Sequence, residues 1–173
     1  MDILALDIAK VTGVARGHAG STPALSVQIF GRRDDDDAET FGRATLWFAR
    51  LLRDEPPELI AVERPLPVYD STLLYGLRGI AIGLARAKHV PVIQVPVATW
   101  RKFFLGRGDL RGPEAKRRCV KLCAQLKWSA PTTRAGDPDH NAAEAGGLWL
   151  YACSQAAPMQ TQRCEPLFVG AHQ

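Results

Sequence analysis

No apolar run in the chain approaches the roughly 18–20 residues that span a bilayer, and the N-terminus lacks the basic, apolar and small-residue zones of a secretory signal. These absences predict a soluble, cytoplasmic protein with no membrane partner. The four cysteines, Cys119, Cys123, Cys153 and Cys164, follow no CxxC spacing and have no histidine pair beside them. Neither a zinc site nor a disulfide framework is expected, and they read as reduced thiols, mostly buried. There is no internal repeat and no domain linker. With 173 residues, 46% of them hydrophobic and 23% charged, the chain has apolar material for one core.

Acids are scarce where bases are dense. Residues 101–134 carry ten bases (Arg101, Lys102, Arg107, Arg111, Lys116, Arg117, Arg118, Lys121, Lys127, Arg134) against Asp109 and Glu114, a local +8, so the rest of the +4 chain sums to −4. A solvated helix face normally interleaves both signs. This one scarcely does, so a polyanion, nucleic acid above all, is an expected partner.

Residues 2–8, 14–17 and 25–30 read as three strands of an antiparallel meander, the first pair joined at Thr12-Gly13. A helix is predicted to run from about residue 34 to 53, with Phe41, Ala44, Leu46, Phe48, Leu51 and Leu52 among its apolar positions. Asp34 to Asp37 and Glu39 stand at its start, where acids suit the positive end of the helix dipole, so they read as a solvated helix start rather than a metal site. Residues 59–62 form a short buried strand that delivers Glu63 at its end. A helix over 71–88 follows, then a strand over 90–95, a loop over 101–112, a helix from Pro113 to about Trp128 and a last helix over 139–155. Gly76, Gly79 and Gly83 stripe the 71–88 helix. Each costs up to about 1 kcal/mol relative to Ala, which implies close backbone packing, with a second subunit as one candidate. The order β-β-β-α-β-α-β-α-α describes one α/β domain over 1–157, with 158–173 as a C-terminal tail of little periodicity.

Acids at strand ends are the chemically informative feature. Asp7 closes the first strand, Glu63 closes the fourth, and Asp139 and Glu144 flank the start of the last helix. Sites in α/β sheets assemble at such ends. Converging carboxylates repel one another and are costly to bury, so they persist where divalent cations offset the charge.

Three segments carry a resemblance: ILALDIAKVTGVA at 3–15, LIAVERP at 59–65 and DHNAAEAGGLWLY at 139–151. In order and spacing they resemble the acidic motifs of RuvC-type Holliday junction resolvases, particularly the phage-type members, across roughly residues 2–153. The resemblance implies a ribonuclease H-like mixed five-stranded sheet, three antiparallel strands followed by parallel ones, flanked by helices. It also implies a homodimer, two Mg²⁺ or Mn²⁺ ions, and symmetric cleavage of four-way DNA junctions. Asp7, Glu63, Asp139 and Glu144 would be the catalytic, metal-binding set.

The chain departs from the family at the last motif, with Glu144 where the family has Asp and Asn141 where another ligand stands. Related RNA-guided nucleases place their last catalytic Asp in a similar D-x-N-A-A string, which favours Asp139, while a helix-capping role competes for the same residue. Asn141 and His140 share a helix face with Glu144. His140 is open to proton transfer or to a surface or capping role. Lys102 and Lys116 are similar in placement to basic residues near the resolvase active site and, with Arg117 and Lys121, are expected to bind phosphate. Tyr69 falls near the position of a base-stacking aromatic, with Leu66 the closer match by spacing and core burial the competing reading for Tyr69. Two other functions share these residue types: a ribonuclease H-like nuclease acting on RNA or RNA–DNA hybrid, and a junction-binding protein whose altered last motif has lost its chemistry.

Overall fold

A computed structural model describes residues 1–64 and 71–160. Its sheet has the strand order β3-β2-β1-β4-β5, with β1 (Asp2–Asp7), β2 (Val11–His18), β3 (Ala24–Ile29), β4 (Leu59–Arg64) and β5 (Val92–Pro96). β1–β2 and β2–β3 are antiparallel hairpin pairs, whereas β1–β4 and β4–β5 are parallel. This is the mixed five-stranded sheet expected from the sequence.

Helices cover both faces, and this is why β1 and β4 are continuously apolar rather than alternating. Successive side chains of a strand point to opposite faces. Leu4, Leu6, Ile60 and Val62 enter a core with Phe30, Phe48, Leu77 and Ala81, beneath α1 (Asp37–Asp54) and α2 (Thr72–Ala87). Ile3, Ala5, Leu59 and Ala61 enter a second core beneath α3 (Val97–Leu105), α4 (Gly112–Gln125) and α5 (His140–Ala156). α1 buries Thr40, Ala44, Phe48 and Leu52, one residue per turn, and Asp36 caps it by accepting from the Glu39 N–H. Leu46, read as one of its apolar positions, is exposed.

α5 is buried almost all round, from Ala142 to Cys153, because it lies on β1 and β2 and is itself covered by α3 and α4. Its Trp149 Nε1 donates to the Ile3 carbonyl at 3.0 Å, which ties the helix to the central strand. Cys119, Cys123 and Cys153 are free and buried, and burial pushes the thiols of Cys123 and Cys153 up to about 12. Cys164 lies outside the described residues, as do Leu66, Tyr69 and the tail beyond residue 160.

Two sequence expectations are corrected. The stretch after β5 is a helix, α3, which takes in residues 101–105 of what reads as loop. Its apolar residues Val97, Trp100, Phe104 and Leu105 fall at helical spacing and are buried, and it stops at Gly106, which adopts the left-handed conformation (φ 76°) that favours glycine. Pro96 is its N-cap residue. The second correction concerns the glycine stripe. Gly76 makes room for the Phe41 ring of α1, where an added Cβ would meet Cζ at 2.4 Å, so its close packing is internal to the chain. Gly79 and Gly83 face open space.

Candidate active site

The pleat brings the first two acids together. Leu6 pairs with Val62 at the end of the parallel β1–β4 ladder, so Asp7 and Glu63, one residue further on, sit side by side. Both point to the α5 side, two positions beyond Ala5 and Ala61. The turn after Asp7 is stitched by the buried Thr12, whose Oγ1 donates to the Ala9 carbonyl at 2.7 Å and accepts from the Ala9 N–H at 3.1 Å. Thr12 and Gly13, read from the sequence as the joining turn, lie inside β2, and Thr12 braces the actual turn, residues 8–10, from the strand.

Glu144 arrives from the opposite wall, on the second turn of α5. It is 4% exposed, the least exposed charged side chain among the described residues, in an otherwise apolar stretch of the helix, 142–150. A buried carboxylate requires a partner. Arg101 of α3 supplies it, with Nη2 2.6 Å from Glu144 Oε1 and Nη1 donating to the Leu110 carbonyl at 3.0 Å. Glu63 is held from the same helix: Trp100 Nε1 donates to its Oε2 at 2.8 Å.

The three carboxylates line one cleft of about 240 Å³, together with Asn141, Lys116 and Arg78 and the apolar Ile8, Ala9 and Leu74. Burial, and then the negative charges of Glu63 and Glu144, hold the Asp7 carboxyl well above the ordinary carboxylate range, and Arg101 and Lys116 offset only part of this. Burial also raises Glu63, opposed by the Trp100 N–H and Arg101 and reinforced by Glu144.

Asp139 is not among the cleft-lining residues. It is the N-cap of α5, and its Oδ1 accepts from the N–H groups of Asn141 and Ala142 at 2.8 and 3.2 Å. His140 Nε2 lies 2.8 Å from Lys116 Nζ. Lys102 is exposed on the outer side of α3, where it lines a separate, shallow groove with Ala98, Thr99 and Phe103. Arg117 and Lys121 share an exposed face of α4, and neither forms an ion pair among the described residues. Sequence reasoning gave Arg101 only a share of the local charge and gave Trp100 and Arg78 no role. The one available signal for Arg101 was Glu144 itself, an acid inside an apolar helix.

No protein-family model and no curated protein matches the sequence. Solved structures do match. The chain is similar to RuvC of Thermus thermophilus, with 19% identity and a TM-score of 0.65 over 93% of this chain and 98% of that one. The T. thermophilus RuvC in complex with a Holliday junction substrate matches at 15% identity and TM-score 0.61, over 90% and 94%. The yeast mitochondrial Holliday junction resolvase Ydc2 matches at 12% and 0.58, over 91% and 84%. The fold is that of RuvC. Near-complete coverage of both chains aligns the RuvC fold with most of this chain.

The donor set of the cleft fits a hard divalent cation. It offers only carboxylate and amide oxygens, and the acids destabilise one another in the absence of a stronger positive charge. Among the described residues no three acids, histidines or cysteines form a ready-made ligand group for a metal ion. Mg²⁺ does not need one, since it binds through one or two carboxylates and keeps several waters.

Proposed function

We propose that this chain is a divalent-metal-dependent endonuclease that resolves four-way DNA junctions by paired, symmetric phosphodiester cleavage. The observation that carries the reading is the convergence of Asp7, Glu63 and Glu144 in one cleft at the strand ends of a RuvC fold, next to a chain segment of nearly one charge sign. The resolvase bound to its junction supports branched DNA as the substrate.

In this reading Asp7, Glu63 and Glu144 hold Mg²⁺ or Mn²⁺. Bound there, such cations supply an activated water and neutralise charge building on the leaving oxygen. Lys116, at the cleft edge and 2.8 Å from His140 Nε2, meets the scissile phosphate. Asp139 fixes the start of α5 and through it the position of Glu144. Arg117 and Lys121 bind backbone phosphates outside the cleft. Two symmetric cuts on a two-fold junction require two active sites, so the working form is a homodimer. Among the described residues no helix is long and apolar enough to cross a membrane.

The test is cleavage of a synthetic four-way junction with Mg²⁺ or Mn²⁺, alongside linear duplex and an RNA–DNA hybrid of the same sequence. Paired nicks at symmetric positions in the junction alone support the proposal. Preferential cutting of the hybrid, or tight junction binding with no cleavage in either metal, overturns it.

A further inference from the structure

The two glutamates of the cleft come from different elements, yet consecutive residues of α3 hold both. Trp100 takes Glu63 Oε2 and Arg101 takes Glu144 Oε1. In each case a single carboxylate oxygen is engaged, and neither Glu63 Oε1 nor Glu144 Oε2 has a hydrogen-bond partner among the described residues. We propose that Trp100 and Arg101 are positioning residues, a clamp that ties down one oxygen of each glutamate and leaves the other free to bind a divalent cation. The inference rests on the reading of the cleft as a metal site.

Both halves of the clamp are anchored. The Trp100 side chain is fully buried against Gly147, where an added Cβ would meet its ring at 2.9 Å. Arg101 lies over the Trp100 ring, 5.3 Å from its centroid, and its second terminal nitrogen is held by the Leu110 carbonyl. Its Nε is buried without a hydrogen-bond partner among the described residues. Leaving a buried donor unmade is costly, so the Glu144 and Leu110 contacts and the packing on Trp100 outweigh that cost in fixing its position. Mutating residues that orient metal-binding side chains in this way typically costs about 10–100-fold in metal affinity.

A counter-charge and a clamp make opposite predictions. Arg101→Lys keeps the positive charge but loses the rigid fork that reaches Glu144 and Leu110 together. Trp100→Phe removes one N–H donor and changes no charge. Titration of Mn²⁺ into the full chain without DNA, followed by calorimetry, reads the effect independently of catalysis. The clamp predicts that each variant binds Mn²⁺ about 10-fold more weakly or worse, while circular dichroism shows both folded. If Trp100→Phe does not fold, Arg101→Lys carries the test, since its side chain is not part of the hydrophobic core. Wild-type Mn²⁺ affinity in the folded variants overturns the clamp. Asp7→Asn separates the two failures: if it binds Mn²⁺ as the wild type does, or if the wild type binds none, the metal reading of the cleft falls and takes the clamp with it.

Discussion

Gly13 lies so close beneath the carbonyl of Asn141 that a Cβ on Gly13 would sit 1.9 Å from that oxygen. Gly13 is also the cross-strand partner of Asp7. The missing side chain therefore lets the first turn of α5 settle beside the end of β1, which brings Glu144 and Asp7 into one cleft. Gly13→Ala forces backbone against backbone, and neither side can yield as a flexible side chain would. We expect a loss of about 3 kcal/mol, at the upper end for overpacking, and a thermal midpoint lower by roughly 6–12 °C for a chain of this size. An unchanged midpoint in a calorimetric scan would show that α5 does not depend on this contact.

Asp7→Asn should make the metal-free protein more stable while abolishing activity. Asp7 is raised in the folded state by burial and by Glu63 and Glu144, so the folded protein binds its proton more tightly than the unfolded chain does. Stability contributed by that proton is present at low pH and is lost as pH rises from the ordinary Asp range, about 4, toward the raised folded value. Wild type and variant should thus melt together near pH 4, with the variant pulling ahead as pH increases and then holding a constant lead. Glu63 titrates in both proteins and largely cancels in the difference. Cations reverse the order: at 100 times the dissociation constant, Mg²⁺ or Mn²⁺ stabilises the wild type by about 2.7 kcal/mol and leaves Asp7→Asn nearly unmoved. Parallel pH curves for the two proteins would contradict the buried-cluster assignment.

The strand ends and their acids are legible because a buried parallel strand must be apolar throughout, so the first charged residue after Ile3–Leu6 or Leu59–Val62 marks where it emerges. α5 is legible for a similar reason, with a capping Asp followed by a long apolar helix. α3 is not. It is short, begins directly after a strand, and is introduced by Pro96, a residue that also ends strands. With no helix read over 97–105, Trp100 and Arg101 had no inward direction and could not be linked to Glu63 and Glu144. Gly76 shows a different limit: sequence reveals that a backbone needs close approach, but Phe41, the group that approaches, lies 35 positions away and on another helix.

Junction affinity should depend steeply on salt, and α4 should carry a measurable share of the slope. Arg117 and Lys121 are exposed and share a face of the helix, whereas Arg118 is paired with Glu114 at 3.0 Å and Lys116 is turned toward the cleft. Each phosphate neutralised releases condensed cations and contributes about 0.9 to the slope of log K against log salt. Replacing Arg117 and Lys121 with Ala should lower that slope by up to about 1.8, as read by fluorescence anisotropy with a labelled junction at several salt concentrations. Replacing Arg118 should change it less. Equal slopes for the double variant and the wild type would put the DNA on another surface.

The division of labour at the start of α5 is tested by exchanging acids for their amides. Asp139 Oδ1 accepts two backbone N–H bonds, and an Asn side-chain oxygen can do the same, since Asn caps helices as well as Asp does. Asp139→Asn should therefore keep the helix start, the position of Glu144 and activity within a few fold. Asp139→Ala should lose about 1 kcal/mol of stability through the missing cap. Glu144→Gln acts on the cleft itself: it removes a carboxylate from the cluster and leaves the Arg101 guanidinium facing a neutral amide in a buried position. Junction cleavage should fall on the order of 100-fold or more, while junction binding measured without cleavage stays close to wild type. The opposite ranking, with Asp139→Asn inactive and Glu144→Gln near wild type across a Mg²⁺ titration, would assign the third metal-binding carboxylate to Asp139 and reduce Glu144 to the buried partner of Arg101.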